Sequence, residues 1–563
     1  MEKAIRELLK LNIKSRDELT AAKRKVAKKF KIGILLNSDI LKEYRKLITA
    51  KKIKANLTLE KILRKRAMRT MSGIAPVAVL IKPYPCPGRC VYCPSEKGVP
   101  QSYLSNEPAV MRAIRCGYNP YKQVQLRLRA LEANGHEPNK IELIVIGATW
   151  SVLPDKYKYW FIKECFRAAN NYGGKIQMSK SKCQIKSKCP ITPPAMQACE
   201  RAGNFQLPLK KEQNRNEKAK YRIIGITLET RPDYINKKEL WQMRELGCTR
   251  VELGVQALDD KILKLNKRGH GVAEIVEATK LLKNFGFKVT YHIMPGLPGS
   301  TPAKDFKMFS QLFSDERFQP DQIKFYPTVV TRGSLLYRWW KAGKYKPYTN
   351  RQLQNLIIKC KKIIPPYVRI IRLIRDIPKE SIMAGNIITN LRQIMKDGGV
   401  KCNCIRCREV GSQKFRIKNA KLIIKKYKAS GGDEYFISVE TQNFASQHHA
   451  SSILYGFCRL RLPNPVETHD YASLQNFASL QDTAMIRELH IYGELVPVGN
   501  AKKVQHAGLG KKLMLEAEKV AKGCGFKKIA VISGIGARPY YKKLGYKLEN
   551  TYMVKTLPGG KKW

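Results

Sequence analysis

The sequence predicts a multidomain α/β protein, in which a partial six-unit (β/α) barrel is preceded by a basic helical region and followed by a smaller α/β domain. Three observations support this. Short β-rich runs alternate with helical stretches through the middle of the chain, and each run ends in a polar or glycine-rich cluster. The 563 residues are too many for one core. A second alternation of strand and helix patterns follows a cysteine-rich linker.

Changes of pattern divide the chain into four parts. We expect basic helices at 1–75, the barrel at 76–376, a linker with a cysteine motif at 377–412 and the second α/β domain at 413–563. A Lys-, Gln- and Asn-rich insert at 173–220 interrupts the barrel pattern, and its composition predicts a mobile basic loop, although a third metal centre at Cys183, Cys189 and Cys199 is the alternative.

The charge of the chain indicates a polyanionic partner. Lys and Arg number 106 against 45 Asp and Glu, a formal charge of +61, and such an excess repels itself unless a polyanion screens it. Nucleic acid is the partner class that this charge favours. Residues 1–82 hold 23 basic and 7 acidic side chains, which predicts a phosphate-contact surface, although a solvated helical face is the alternative. The candidate RNA-binding residues are Lys23, Arg24, Lys25, Arg64, Lys65 and Arg66.

Cysteine usage and hydropathy predict a cytoplasmic protein without a membrane anchor. Six of the 15 cysteines lie in two tight triplets, a pattern typical of metal binding in a reducing compartment. The first residues form a charged amphipathic pattern that does not look like a secretory signal. The longest apolar runs, such as Ile74 to Ile81, are far shorter than a membrane span.

The central motif is Cys86-Pro-Gly-Arg-Cys90-Val-Tyr-Cys93, directly after an apolar run. Three thiolates on a four-iron cluster leave one iron without a protein ligand, so that iron can bind a cofactor. The spacing resembles the signature of radical S-adenosylmethionine (SAM) enzymes, whose open iron chelates SAM. The resemblance implies a [4Fe-4S] cluster, SAM and catalytic roles for the three cysteines. A zinc knuckle or three unrelated thiols is the alternative.

Six strand candidates support the barrel of this family. They are Val77–Ile81, Ile141–Ile146, Arg222–Leu228, Arg250–Gly254, Lys288–His292 and Gln322–Tyr326. Active residues at the carboxyl ends of successive strands are typical of a TIM-like barrel, complete or partial. By the resemblance, Gly147 and Thr149 lie at the contact to the SAM amino group, and Gln256 lies at the SAM ribose. Because Gly-Ala-Thr replaces the family's usual Gly-Gly-Glu, backbone carbonyls would have to make the first contact.

Seven longer stretches of sequence indicate a family more specifically than the cysteine motif does. RAIRCGYNPY, TLETRPDY, GCTRVELGVQ, NKRGH, HIMPGLPGS, KFYPTVVTRGSLLYRWWKAGKYKPY and RDIPKESI resemble the catalytic subunit of the Elongator complex. The resemblance extends from about residue 60 to 560, and it departs in the 173–220 insert and in the 441–484 region. It implies action on the wobble uridine of tRNA, with other Elongator subunits as partners only where the host encodes them. Whether the chain forms a homodimer stays open.

A second cysteine triplet, Cys402, Cys404 and Cys407, predicts a zinc site. A structural zinc usually takes four ligands, and the fourth has to come from elsewhere in the chain. Cys248 and His270 are both candidates, and the sequence does not choose between them. We expect this site to clamp the barrel to the C-terminal domain, whereas three free thiols on an exposed linker are the alternative.

The C-terminal part resembles a GCN5-related N-acetyltransferase. A glycine-rich turn that opens a helix presents backbone N–H groups to a phosphate, and the resemblance assigns this turn to the acetyl-CoA pyrophosphate. Tyr540 and Tyr541 are expected near the thioester, although they could also be core aromatics. The cofactor-binding candidates are Glu488, Leu489, His490, Ile491, Gln505, His506, Gly508, Leu509, Gly510 and Lys511, with both tyrosines.

Two cofactor sites in one chain predict one reaction. Uracil C5 is too weak a nucleophile to attack a thioester, but a radical on the acetyl methyl group could add to it. Oxidation and thioester hydrolysis would then leave 5-carboxymethyluridine at the anticodon's first position. A splayed anticodon loop offers unstacked bases for this, and an electron donor is required. The main alternative is a protein lysine acetyltransferase with a structural cluster. A tRNA methylthiotransferase and a non-catalytic RNA scaffold are further alternatives.

Overall fold

The computed structural model describes residues 1–64, 73–173, 205–388, 390–410, 419–442, 452–464, 482–492 and 508–558. Four of the predicted site residues, Lys65, Arg66, Gln505 and His506, lie outside these ranges.

The N-terminal region forms four helices around a small core of its own. The helices are α1 (Glu2–Leu9), α2 (Arg16–Lys29), α3 (Asn37–Thr49) and α4 (Leu57–Leu63). Helix α2 begins with a serine N-cap, in which Ser15 Oγ accepts a hydrogen bond from Glu18 N at 3.1 Å. Arg45 donates to Glu132 O and Arg64 to Gly135 O, and these two contacts join the region to the barrel.

The barrel contains an open sheet of seven parallel strands in the order β1-β2-β3-β4-β5-β6-β8. The strands are β1 (Ile74–Leu80), β2 (Lys140–Ile146), β3 (Arg222–Thr230), β4 (Arg250–Gln256), β5 (Lys288–Ile293), β6 (Gln322–Phe325), β7 (Val330–Thr331), β8 (Arg369–Arg372) and β9 (Ile382–Ala384). The short strands β7 and β9 pair with each other outside this sheet.

Helices follow the strands of this sheet along the chain, and several of them pack against it. They are α5 (Pro108–Arg115), α6 (Pro120–Ala133), α7 (Asp155–Asn170), α8 (Gln206–Lys218), α9 (Lys237–Glu245), α10 (Asp260–Leu265), α11 (Val272–Asn284), α12 (Pro302–Ser314), α13 (Leu335–Lys341), α14 (Asn350–Ile363), α15 (Leu391–Asp397) and α16 (Ile405–Arg408). In β4, Val251, Leu253 and Val255 join the hydrophobic core, whereas Arg250 and Glu252 face the lumen. This alternation follows from the two-residue period of a strand.

Two details of the barrel differ from the sequence prediction. The predicted six units are present, but β8 adds a seventh parallel strand, which the sequence does not predict because the two isoleucines of Arg-Ile-Ile-Arg form neither an apolar run nor an alternating pattern. The expected loop insert at 173–220 ends in the helix α8, because Leu209, Gln213 and Asn216 form a buried stripe at helical spacing. Residues 174–204 of the insert lie outside the described ranges.

The C-terminal domain is a mostly antiparallel sheet of order β10-β11-β12-β13-β14-β16-β15. Its elements are β10 (Lys421–Ala429), β11 (Gly432–Gln442), β12 (Ser452–Pro463), β13 (Thr483–Ile491), α17 (Leu509–Gly523), β14 (Lys528–Val531), α18 (Arg538–Lys542), β15 (Lys547–Glu549) and β16 (Tyr552–Thr556). Strands β13 and β14 are parallel, and they pair only from Thr483 to Ile486 of β13.

A buried cluster of charges joins the barrel to the C-terminal domain. Asp321 accepts hydrogen bonds from Arg487 of β13, one of them at 2.8 Å, and Arg459 of β12 lies 3.5 Å away. Glu434 of β11 pairs with Arg487 at 3.1 Å and lies 3.6 Å from Lys283 of α11. All five side chains are buried. Because buried charges are costly to leave unpaired, this cluster fixes how the two domains dock.

No helix in the described parts of the chain is both long and apolar enough to cross a membrane.

Candidate functional site

The cysteine loop lies at the carboxyl ends of the barrel strands, directly after β1. Cys90 is buried, and Cys86 and Cys93 are half-buried. Backbone hydrogen bonds hold the loop from two sides, since Val91 N donates to Asn266 O at 3.2 Å and Ser95 N donates to Gly333 O at 3.1 Å. The loop is therefore fixed to two neighbouring barrel loops, and its three thiols face one cavity.

Two arginines that the sequence analysis did not assign stand beside this loop. Arg268, which is buried, donates from its guanidinium to Cys90 Sγ at 3.1 Å and lies 3.0 Å from His270 Nε2. Arg231 is held by Asp233 through bonds of 2.8 and 2.9 Å. A Cβ added to Gly88 would lie 2.3 Å from the Arg231 guanidinium, so this glycine is required for the close approach.

These cations shape the electrostatics of the loop. The hydrogen bond with Cys93 and the Arg268 charge lower the pKa of the Cys90 thiol against the effect of burial. Burial and the Arg268 charge lower the pKa of His270 to about 4. The thiolate form of Cys90, which binds iron, is thus favoured. The strings TLETRPDY and NKRGH contain both arginines, but only the tertiary fold shows their proximity to the cysteines.

Of the residues predicted to contact SAM, Thr149 and Gln256 line the same cavity, and Gly147 directly precedes Ala148, which also lines it. Gly147, Ala148 and Gln256 have φ of +129°, +82° and +70°, and a Cβ on Gly147 would meet the Ile81 side chain at 2.5 Å. Left-handed backbone at residues other than glycine is uncommon and clusters at functional sites. Thr149 is buried, with its Oγ1 3.8 Å from Cys86 Sγ. Gln256 also carries a buried amide oxygen that lacks a hydrogen-bond partner among the described residues.

A cavity of about 1710 Å³ runs from the cysteine loop, through the barrel lumen, to the C-terminal domain. Charged side chains line the middle of it, unlike the branched apolar residues that fill complete barrels. Glu252 accepts from His292 Nε2 at 2.9 Å and pairs with Lys324, while Arg250 pairs with Glu142 at 3.0 Å. The lumen is therefore a polar passage between two ends of the molecule.

The C-terminal domain closes the amino-terminal end of this passage. Beyond Ile486, β13 stays paired with β12 but no longer with β14, so the backbone of Glu488 to Ile491 has one free edge that faces the cavity. A Cβ on Gly510 would lie 2.6 Å from Tyr540 Oη, so this glycine allows the start of α17 to approach the Tyr540 hydroxyl closely. The remaining predicted residues that line the cavity here are Leu489, His490, Gly508, Leu509, Lys511 and Tyr541.

Tyr540 and Tyr541 differ in their exposure to solvent. Tyr540 is 39 % exposed, whereas Tyr541 is buried and contacts Tyr546 edge-on, with ring centroids 6.1 Å apart. Both line the cavity. Gly508 has φ of +76° at the start of α17, the conformation that favours glycine at such a turn.

The second cysteine triplet forms a compact group. The sulfur atoms of Cys402, Cys404 and Cys407 lie within 4.8 Å of one another, and no fourth ligand belongs to this group among the described residues. The two candidates from the sequence are both engaged elsewhere. Cys248 donates to Arg250 O at 3.2 Å, and His270 lies beside Arg268. Neither side chain belongs to the group formed by the three sulfur atoms, so neither is the fourth ligand.

The triplet lies at the junction of the two domains. Ile405 N donates to Val368 O beside β8, and Val410 N donates to Leu454 O of β12. Arg408 adds a buried ion pair with Glu440 of β11 at 2.5 Å.

The described part of the predicted RNA-binding set is divided. Arg24 and Lys25 are exposed. Lys23 is half-buried and bonded to Asn37, and Arg64 donates to Gly135 O at 2.8 Å. Two of the four described residues thus take part in packing contacts within the protein.

The fold and the cysteine loop define a radical SAM protein that carries an acetyltransferase domain. Residues 196–311 match the Radical SAM superfamily model, residues 320–397 match the Radical_SAM C-terminal domain, and residues 467–546 match the Acetyltransferase (GNAT) family. The cysteine loop precedes the first matched segment. The predicted fold class is therefore confirmed.

Relatives identify the family. The chain is 43 % identical over 505 residues to the tRNA uridine(34) acetyltransferase of Dehalococcoides mccartyi, which covers 88 % of this chain and 100 % of that protein. It is 36 % identical over 583 residues to Elongator complex protein 3 of Homo sapiens, with 98 % and 96 % covered. The structure of an N-terminally shortened archaeal Methanocaldococcus infernus Elp3 superposes with a TM-score of 0.67 at 36 % identity, and covers 87 % of this chain and 100 % of that one.

The chain therefore belongs to the family of tRNA uridine(34) acetyltransferases and Elongator complex protein 3. The resemblance seen in the sequence strings is confirmed.

The residues present fit the cofactors that these domains imply. A radical SAM domain implies a [4Fe-4S] cluster and SAM, and a GNAT domain implies acetyl-CoA. Cys86, Cys90 and Cys93 are not among the groups tight enough for one ion, as expected of ligands to a larger cluster. The unpartnered amide oxygen of Gln256 and the free backbone edge of β13 from Glu488 to Ile491 are features of the kind that SAM and acetyl-CoA require.

Proposed function

We propose that this chain modifies the wobble uridine of tRNA, using SAM and acetyl-CoA to install a 5-carboxymethyl group. The observation that carries this proposal is the continuous cavity, which the cysteine loop lines at one end and the acetyl-CoA candidates line at the other. Two cofactor sites that open into one cavity fit a single reaction better than two separate activities. The names of the relatives support uridine 34 of tRNA as the substrate.

At the carboxyl end of the barrel, Cys86, Cys90 and Cys93 would hold the cluster, and Gly147, Thr149 and Gln256 would orient SAM. When bound, this pair supplies the carbon radical chemistry that forms a carbon–carbon bond at uracil C5. Arg268 holds Cys90 in place through its 3.1 Å hydrogen bond. The half-buried loop limits the access of water, which would otherwise quench reactive species.

At the other end, the free edge of β13 from Glu488 to Ile491 would bind the pantetheine arm by backbone hydrogen bonds. The turn at Gly508 to Lys511 would hold the pyrophosphate at the start of α17, where backbone N–H groups are unpaired. Gln505 and His506 belong to the same proposed turn. Tyr540 and Tyr541 would lie near the thioester.

Partners follow from the same proposal. The excess of positive charge fits the tRNA backbone, and Arg24 and Lys25 are exposed for such contacts. The reaction also requires an electron donor. The relatives named Elongator complex protein 3 support further Elongator subunits as partners where the host encodes them.

We also propose zinc at Cys402, Cys404 and Cys407. Three sulfur atoms within 4.8 Å of one another fit a single tetrahedral ion. Because the triplet touches both β8 and β12, the ion would clamp the barrel to the C-terminal domain.

The test is an anaerobic reconstitution. Cluster-loaded protein is mixed with dithionite, SAM, acetyl-CoA and bulk tRNA, and the digested nucleosides are analysed by mass spectrometry. We expect 5-carboxymethyluridine only when both cofactors are present. Cys90→Ser should abolish the product, whereas the matched variant Cys524→Ser, at an exposed cysteine outside the cavity, should retain it.

Other outcomes would contradict the proposal. SAM cleavage without a modified uridine would mean that the substrate is wrong. Acetyl transfer to a protein acceptor with SAM untouched would favour a protein lysine acetyltransferase instead.

A further inference from the structure

A basic and aromatic surface lies directly beside the cysteine loop, outside all residues assigned so far. It is formed by residues 332–346, Arg-Gly-Ser-Leu-Leu-Tyr-Arg-Trp-Trp-Lys-Ala-Gly-Lys-Tyr-Lys, which contain α13. We call this the α13 surface. It contains five basic residues and no acidic one, and all five are exposed: Arg332, Arg338, Lys341, Lys344 and Lys346.

The five positive charges of this surface can bind an anionic partner. None of the five forms an ion pair with a carboxylate in the described part of the chain. Half-buried aromatic rings lie between them, with Tyr337 and Trp340 centroids 5.9 Å apart and the Lys341 ammonium 5.5 Å from the Tyr337 ring. Trp339 is also half-buried. Cations interleaved with aromatic rings are the pattern that binds unpaired nucleotides.

The α13 surface is rigidly attached to the cysteine loop. Leu336 N donates to Val91 O at 2.8 Å, and Gly333 O accepts from Ser95 N at 3.1 Å. Gly333 has φ of +79°, and a Cβ there would lie 2.8 Å from Ser95 O, so only glycine permits this contact. Ser334 caps α13 by accepting from Tyr337 N at 3.2 Å. The surface therefore has a fixed position relative to the cavity mouth.

The described part of the basic N-terminal region contacts the barrel at the end opposite the cysteine loop. Its contacts to the barrel are at Glu132 and Gly135, at the end of α6 and before β2 begins at Lys140. That is the amino-terminal end of β2, whereas the cysteine loop lies at the carboxyl ends of the strands. The seven residues of β2 separate the two ends by about 20 Å. A base beside the cysteine loop thus needs contacts at a second place.

We propose that the α13 surface binds the unpaired nucleotides next to the target uridine and presents that base to the cysteine loop. This inference rests on the proposed function and adds the site that holds the anticodon loop. Exposed cations would contact the phosphates, and the aromatic rings would stack on bases that the loop leaves unstacked. An acidic electron-donor protein would need the charges but not the rings, so RNA is the occupant that the surface favours.

The test compares two triple variants with the same change of charge. Arg338→Gln, Lys341→Gln and Lys344→Gln neutralise the α13 surface. Lys421→Gln, Lys425→Gln and Lys522→Gln neutralise exposed lysines of the C-terminal domain as the control. Binding of an anticodon stem-loop RNA is measured by fluorescence anisotropy from about 50 to 200 mM salt, a range over which phosphate contacts lose most of their affinity. Iron content per chain reports whether the cysteine loop is intact.

We expect the α13 variant to bind the stem-loop at least tenfold more weakly, with the slope of log affinity against log salt reduced by about 2. Its KM for tRNA should rise more than its kcat falls. The control triple should keep the wild-type salt slope. A further variant, Trp340→Leu, should weaken binding without changing the slope, because it removes stacking and no charge.

Equal losses in both triples would overturn the inference, because the effect would then be one of general charge. Unchanged RNA binding together with slower reduction by an acidic donor protein would assign the surface to that donor instead. If the wild-type chain bound no stem-loop, the proposed function itself would fail. If tRNA were modified normally by the α13 variant, only the inference on this surface would fail.

Discussion

Asp321 offers the sharpest test of how the two halves of the cavity are held together. It is fully buried at the start of β6, and it accepts from Val289 N and Arg487 at 2.8 Å each. Arg459 and Lys283 lie 3.5 and 3.9 Å away. Asp321→Asn keeps the shape of the side chain but removes a carboxylate that faces all three cations, although Glu434 still pairs with Arg487 and Glu488 still pairs with Arg459.

The expected cost is large. At an effective dielectric of about 20, a charge pair at hydrogen-bond distance is worth about 6 kcal/mol before desolvation is counted. Removing one partner of a buried pair costs about 3–5 kcal/mol, because the other charge is left uncompensated. We expect Asp321→Asn to lower the free energy of unfolding by that amount. Since it loosens the docking of the domains, the yield of modified uridine per SAM cleaved should also fall.

Urea denaturation followed by tryptophan fluorescence measures the first effect. Asp397→Asn is the matched control, because Asp397 is exposed and should change stability by no more than about 0.5 kcal/mol. Burial would raise the pKa of Asp321, but the Arg487, Lys283 and Arg459 charges lower it below its ordinary value. The stabilisation from Asp321 is therefore present above its ordinary pKa and lost in acid, and the variant should lose this acid dependence. A loss below about 1 kcal/mol would refute the reasoning.

Three further predictions concern single residues. Gly510→Val should abolish acetyl-CoA binding in calorimetry, because even a Cβ would lie 2.6 Å from Tyr540 Oη. The control Gly523→Ala should bind acetyl-CoA normally, because a Cβ there would have nothing within 4 Å. Unchanged affinity of Gly510→Val would exclude this site. Lys283→Met should not destabilise the protein at pH 7. Burial lowers the pKa of Lys283 from 10.5 to about 8, so the wild type should gain stability from about pH 8 to 10.5, and a variant with the same slope would contradict this. Arg268→Gln should make the cluster harder to reduce, by on the order of 100 mV in a redox titration followed by electron paramagnetic resonance, because a cation next to a cluster ligand is lost; an unchanged potential would show that the charge is screened.

Much of the fold was predictable because its signals are local. The six long strands of the barrel each carry an apolar run that ends in Gly, Pro or polar residues, and all six predicted strands are present. The cysteine loop could be found because its three cysteines lie within eight residues of one another. The seventh strand, Arg369–Arg372, was not predictable because its two isoleucines lie between arginines, whereas the equally short β6 alternates polar and apolar residues.

Distances between segments were not predictable in the same way. Arg268 lies 178 residues from Cys90, and nothing in their spacing indicates the 3.1 Å contact. The fourth ligand of the second triplet was sought at Cys248 and His270, and folding places both of them elsewhere. Arg64, a predicted RNA contact, also donates to Gly135 O, and its position in a run of charges gives no indication of this contact.

The sequence by itself thus determined which cofactor chemistry to expect, because the three cysteines of one loop and the glycine-rich turn before a helix are each contained within a few residues. Folding decided how those parts cooperate. The charged lumen joins the two cofactor ends, and the buried pairs around Asp321 fix their relative position. The α13 surface reaches the cysteine loop only through backbone contacts between distant segments. Such contacts depend on the packing of the whole sheet, which no local pattern encodes.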